Sequence, residues 1–216
     1  MKTLLVFTIA MLLSIAKLFA YNPEAGDIFF QDGSKSDFND AVKNVTNSWK
    51  GRNFSHCGIA VINKSRGADS VLILEAISEG VMLTPLDKFL ARSLDRNGKP
   101  KVVVGRLKDS IKYSIRPVIE RGEKLLGKAY DDAFDFANDK YYCSELVFVA
   151  FLDSANKPIF ESNPMTFKNP QTKEIDKNWD DYFRKLGIEV PEGKDGINPG
   201  GISLSPALEI IFEYYD

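Results

Sequence analysis

The chain has 216 residues, with 28 Lys and Arg against 30 Asp and Glu, a formal net charge of −2. That balance gives no basic surface for phosphate binding, so nucleic acid is not an expected partner. The length suits one domain with a core large enough to need no staples.

Lys2 precedes an almost unbroken apolar run from Leu4 to Ile15, followed by Ala16 to Ala20. This is the pattern of a secretory signal peptide. The run is shorter than the roughly 20 residues a membrane-spanning helix needs, and no second such run follows. Residues 1–20 are therefore expected to be removed, although Leu18 stands where a small residue usually precedes the cut. Residues 21–216 would then be one exported domain in the periplasm or cell envelope, without a transmembrane segment. Cleavage would remove Lys2 and Lys17 and no acid, taking the charge from −2 to −4.

Gly26–Phe30 reads as a short strand. Ser36–Trp49 carries Phe38, Val42, Val45 and Trp49 at helical spacing behind a Ser36 cap. Strands follow at Phe54–Ile62, Ser70–Ile77, Gly80–Thr84 and Lys101–Leu107, with a short helix at Pro85–Arg92. Lys64-Ser65-Arg66-Gly67 and Asp95-Arg96-Asn97-Gly98 supply turn chemistry. The period then changes. Ser114–Leu126 reads as a helix, with Pro117 in its first turn and Gly127 as its stop. Tyr142–Leu152 is a second, apolar enough to imply deep burial. A Pro/Asn-rich stretch from Asp153 to Lys177 leads to a short helix at Trp179–Leu186 and a Gly/Pro-rich loop. Ser205-Pro206 reads as the opening of a last helix. Strands first and helices later indicate an α+β fold.

Three residues could carry chemistry. His56 is the single histidine; a histidine in a strand is by default a packed or hydrogen-bonded structural residue, yet its ring titrates near neutrality. Cys143 opens an apolar helix, where the helix dipole and a nearby imidazolium would favour thiolate over thiol. The plainer reading is a small core residue. Glu75 interrupts the apolar run Val71–Ile77. If the strand is covered on both faces, its carboxylate needs a partner, and an imidazole on the neighbouring strand would serve. At a sheet edge it would simply face water. Together the three make the thiol–imidazole–orienter set that acyl transfer requires.

Cys57 and Cys143 could pair in an exported protein. Neighbours in a strand point to opposite faces, so if His56 faces a site, Cys57 is expected to face away from it. One histidine and two widely separated cysteines give no recognised ligand spacing, so neither metal nor cofactor is expected.

Gly26-Asp27-Ile28, Ser55-His56-Cys57-Gly58-Ile59, Leu74-Glu75-Ala76, Gly80-Val81, Gly127-Lys128-Ala129-Tyr130-Asp131 and Tyr141-Tyr142-Cys143-Ser144-Glu145-Leu146-Val147 resemble, in order and spacing, the YiiX/YebB-like branch of the NlpC-type cysteine peptidases. The resemblance spans roughly residues 26–152. It implies a circularly permuted papain-like fold, an antiparallel sheet or small barrel packed against helices, in which the histidine strand precedes the cysteine helix. It further implies Cys143 as nucleophile, His56 as general base, Glu75 as the polar third member, and Tyr130 with Tyr142 at the oxyanion and substrate side. A monomer that hydrolyses peptide or amide bonds in cell-wall material is the leading expectation. Lipid-like or acylated substrates are the alternative, suggested by tail aromatics such as Phe160, Phe167, Trp179, Tyr182 and Phe183. A binding module that has lost the chemistry is a third.

Overall fold

The computed structural model describes residues 21–33, 36–64, 70–111 and 114–215, without the side chains of Asp37, Phe38 and Lys43. The expected signal peptide and most of the turn at 64–67 lie outside the described residues.

Six strands form one antiparallel sheet: β1 (Ile28–Gln31), β2 (His56–Asn63), β3 (Ser70–Ile77), β4 (Gly80–Pro85), β5 (Val102–Leu107) and β8 (Leu208–Glu213), in the order β4-β3-β2-β1-β5-β8. The apolar runs read from the sequence are continuous rather than alternating because the sheet is covered on both faces. Phe29 and Phe30, neighbours pointing oppositely, are both fully buried. One face carries Phe30, Cys57, Ile59, Leu74 and Ala76 against α3 (Ile115–Glu123) and α4 (Cys143–Ala150). The other carries Phe29, Ala60, Ile73, Val102 and Val104 under Phe89 of α2 (Leu86–Ala91). Full burial of such side chains contributes about 1.5–3 kcal/mol each.

Two quoted motifs turn out to hold the sheet together. Asp27 is fully buried and accepts from the Tyr21 hydroxyl at 2.5 Å, the Glu24 amide at 2.7 Å and Arg106 Nε at 2.6 Å. This ties residues 21–27 to β5. Gly80 has φ of +105°, and a Cβ there would stand 2.5 Å from the Lys128 carbonyl oxygen. Only glycine lets the two segments approach, and Val81 then exchanges backbone hydrogen bonds with Gly127 and Lys128.

Helix α1 (Asp37–Val45) starts where expected, with Ser36 Oγ accepting from the Asn39 amide at 3.1 Å, but ends before Trp49, which opens a separate single turn. The expected final helix is absent. Leu208–Glu213 is instead strand β8, and a one-turn helix, α6 (Pro199–Ser203), comes earlier behind an Asn198 cap. Ser205-Pro206 offers helix-start chemistry, but pairing with β5 covers what would otherwise be an open sheet edge.

Residues 153–204 fold back across α1 and α4. Two short strands, β6 (Asn163–Pro164) and β7 (Asp195–Gly196), pair with each other, and α5 (Lys177–Leu186) ends on Gly187 at φ of +71°. The tail aromatics build a core: Phe167 stands edge-on to Trp179 and Phe183, centroids 5.0 and 5.2 Å apart. Trp179 Nε1 donates to the Ala41 carbonyl of α1 at 3.1 Å. No helix among the described residues is long and apolar enough to cross a membrane.

Candidate active site

His56 is the first residue of β2, directly opposite Gln31 of β1. Its Nε2 lies 2.6 Å from Glu75 Oε2. The β2–β3 register makes this possible, since Ile59 pairs with Leu74 and so sets Glu75 diagonally across from His56 on the same face. Gly58 lies between them. A Cβ there would stand 2.5 Å from a methyl of Ile73 and 3.2 Å from Glu75 Cβ, so a side chain would force Ile73 to move and crowd the acid.

Glu75 is fully buried, the covered one of the two placements its strand allowed, and histidine is not its sole partner. Arg92, at the end of α2, donates Nη1 to Oε2 and Nη2 to Oε1, each at 2.6 Å. Thr84 Oγ1 on β4 donates to Oε1 at 2.5 Å. Burial alone would raise the carboxyl pKa, but the hydrogen bonds from His56 and then Arg92 outweigh it and bring it down to about 2. Sequence reasoning missed both Arg92 and Thr84. A signal existed: Thr84 follows the strand position opposite Glu75 by two residues and so shares its face, and an ionised carboxylate between covered strands calls for a permanent cation.

Cys143 begins α4, which packs on the opposite face of the sheet from Glu75. The two meet because the site lies at the end of the sheet. His56 hydrogen-bonds with Glu75 on one side and with Cys143 on the other. With Nε2 on Glu75, the nitrogen left for the sulfur is Nδ1. Burial pulls the imidazole pKa down, yet the hydrogen bonds with Cys143 and Glu75 more than offset this and raise it to about 9. Cys143 moves the other way, well below an ordinary thiol, chiefly through a hydrogen bond from the Cys57 side chain, with His56 adding to it against the cost of burial. The pair therefore favours thiolate and imidazolium.

Cys57 does not turn away from the site, contrary to the alternation argument. It does point to the face opposite Glu75, but that is the face from which α4 brings Cys143. Burial first, then the hydrogen bond to Cys143, keep the Cys57 thiol protonated and hence a donor. Both cysteines are free.

Tyr130 is held by a backbone bridge to Tyr141 and lines two cavities, one with Cys143 and one with His56. Burial, followed by the charge on Cys143, raises its pKa, so the hydroxyl stays protonated. Tyr142 lines the first cavity and is nearly fully buried, its hydroxyl accepting from the Ile197 amide at 3.2 Å. Ser144 Oγ donates to the Ile197 carbonyl at 2.9 Å. These two bonds fasten the tail to the start of α4. As the first residue of α4, Cys143 also presents a backbone N–H from the turn whose amides have no partner within the helix.

Residues 22–212 match the family model of the permuted papain-like amidase enzymes, YaeF/YiiX, C92 family. The chain belongs to this family. The order His56, Glu75, Cys143 is the permuted one, and the α+β architecture agrees with it. Among relatives, the uncharacterized protein YiiX of Escherichia coli K12 is 26% identical over 198 residues, covering 89% of this chain and 88% of that protein. A crystal structure of the metalloprotein YiiX from Escherichia coli O157:H7 superposes with a TM-score of 0.72 at 23% identity, covering 91% of this chain and all of that one. The likeness is one of fold. Among the described residues of this chain, no group of three or more His, Cys, Asp or Glu is arranged to hold a metal ion.

Proposed function

We propose that this amidase-family protein is a thiol hydrolase that works through an acyl-enzyme. Cys143 thiolate attacks the carbonyl carbon of an amide, and the oxyanion accepts hydrogen bonds from the Cys143 N–H and the Tyr130 hydroxyl. Imidazolium His56 gives its Nδ1 proton to the departing amine, leaving a thioester on Sγ. His56, now neutral, takes a proton from water as it adds to the thioester, and the carboxylate leaves. Glu75, held by Arg92 and Thr84, keeps the ring oriented and stabilises its charged form.

The observation that carries this reading is the His56 Nε2–Glu75 Oε2 contact at 2.6 Å, together with Cys143 acting on the same ring to favour its charged form. It gives the sulfur a base whose far nitrogen is already committed. The test is alkylation by iodoacetamide at pH 7: residue 143 should react well ahead of an unperturbed thiol, and Cys143→Ala should abolish both labelling and amide hydrolysis. An unreactive residue 143 in protein that still binds its ligand would leave a binding module instead.

The apolar leader supports export, and amide bonds of the cell envelope as the surroundings in which a monomeric enzyme works. Amino-terminal sequencing of protein recovered from the periplasm checks this. A chain beginning at Tyr21 agrees with export, and one retained at Met1 in the cytoplasm refutes it.

A further inference from the structure

Gln31 ends β1 as the cross-strand partner of His56, so the two side chains stand on the face of the sheet that carries Glu75. It is only 3% exposed. Its Nε2 donates to the Phe89 carbonyl of α2 at 2.8 Å, a bond buried between strand and helix. Only the nitrogen arm of the amide can face a carbonyl, so the other arm is the oxygen. Oε1 meets no donor among the described residues, and Gln31 lines the cavity of about 400 Å³ that also contains His56. The side chain is therefore a fixed acceptor beside the imidazole, held by its nitrogen and open at its oxygen to a donor from outside the protein.

The second half of acyl transfer needs such an acceptor. Water attacks a carbonyl carbon through an oxygen lone pair, so both of its O–H bonds must be directed elsewhere. One points at Nδ1 of neutral His56. Taking Cys143 as the acylated nucleophile, on which this inference rests, we propose that Gln31 Oε1 accepts the other and that Gln31 is a catalytic residue of deacylation. The water oxygen bonds to the thioester carbon, one proton passes to Nδ1, and the C–S bond breaks with its electron pair returning to Sγ. The second proton stays on the carboxylic acid that departs, which then loses it to solvent. Thiolate and imidazolium are restored. Gln31 does not serve the oxyanion, which requires donors, because its Nε2 is turned to Phe89. Attack by the thiolate in the first half involves no water, so that half does not depend on Oε1.

Stopped-flow mixing with p-nitrophenyl butyrate separates the two halves. p-Nitrophenolate departs without a proton, so its burst reports acylation of Cys143 and the steady rate that follows reports attack by water. Gln31→Met keeps the length of the side chain and removes the acceptor. Its burst should stay within about threefold of the wild type while the steady rate falls about tenfold or more, the scale of one hydrogen bond to a reacting group. Hydroxylamine attacks thioesters without a positioned water, so adding it should bring the variant to the turnover of the wild type in the same solution. Gln31→Ala leaves room for water at the Phe89 carbonyl and carries the same expectation should the longer variant not fold. Burst and steady rate falling together would make Gln31 a mere support for His56 and overturn the inference, as would an unchanged steady rate. A wild type without a burst, its Cys143 left unacylated, refutes the thiol-hydrolase reading itself and this inference with it.

Discussion

Arg92 and Glu75 meet as a two-pronged ion pair, Nη1 to Oε2 and Nη2 to Oε1 both at 2.6 Å, while the same carboxylate holds His56 Nε2 at 2.6 Å. Glu75 is fully buried and Arg92 about one third exposed, so the arginine supplies the permanent charge that lets the acid stay ionised. Removing it should do two things. Arg92→Met leaves a buried carboxylate with only Thr84 and the imidazole, costing roughly 3 kcal/mol in urea unfolding, the low side of a broken buried pair. It also loosens the group that orients His56, so kcat for amide hydrolysis should fall about tenfold or more. Arg92→Lys should recover part of the stability and less of the turnover, because a single ammonium cannot grip both oxygens.

After Cys143, the same carboxylate helps to set the pH range. His56 is held protonated up to about pH 9, and Cys143 ionises well below an ordinary thiol. The working pair therefore exists from mildly acidic pH to about 9. Hydrolysis should plateau through neutrality and fall above about pH 9, as the imidazolium that protonates the leaving amine is lost. Glu75→Gln takes away the facing negative charge, so the alkaline limb should move down by about one unit or more, and kcat should drop at least tenfold. A limb that stays at 9 in this variant would assign it to a group other than His56.

Cys57 is a further control on the nucleophile. Its thiol donates to Cys143 and is the largest influence keeping that sulfur ionised. Cys57→Ala should shift the acid limb of iodoacetamide alkylation at Cys143 up by about one unit, the scale of one hydrogen bond to a charged group. The variant should retain its fold, losing one small buried side chain. An unmoved limb would leave His56 alone as the cause of the low thiol pKa.

How much of this was legible in the residues depends on what each signal needed. His56, Glu75 and Cys143 could be found because each breaks a local pattern: a titrating ring in a strand, an acid in an apolar run, a thiol at a helix start. Arg92 could not, because an arginine ending a short helix looks like any solvated one until the β3–β4 pairing brings α2 back over Glu75. Cys57 was misjudged for a geometric reason. Alternation gives its face correctly, but a site at the end of a sheet is reached from both faces, and α4 approaches on the one Cys57 shares. The last strand was misread because a local helix-start signal at Ser205-Pro206 competed with a pairing partner, β5, lying a hundred residues upstream.

Glu145 offers a stability measurement independent of catalysis. It sits in the first turn of α4, almost fully buried, with Oε2 accepting from the Tyr142 amide at 3.4 Å. Burial, opposed by the cap hydrogen bond and aided by the nearby Asp131 and Asp135, raises its pKa to about 8. The unfolded chain releases this proton near pH 4.5 and the folded chain near 8. Between those values the unfolded state binds fewer protons, so the contribution of Glu145 to stability is present below about 4.5 and is lost as pH rises to 8. Glu145→Gln keeps an acceptor for the Tyr142 amide and cannot ionise. Its Tm should match the wild type at pH 4.5 and exceed it at pH 8.5, the shift from about 4.5 to about 8 setting an upper bound of about 5 kcal/mol on the gain. A variant less stable than wild type at both values would mean that the carboxylate is ionised in the folded protein and held there by a partner worth more than its desolvation costs.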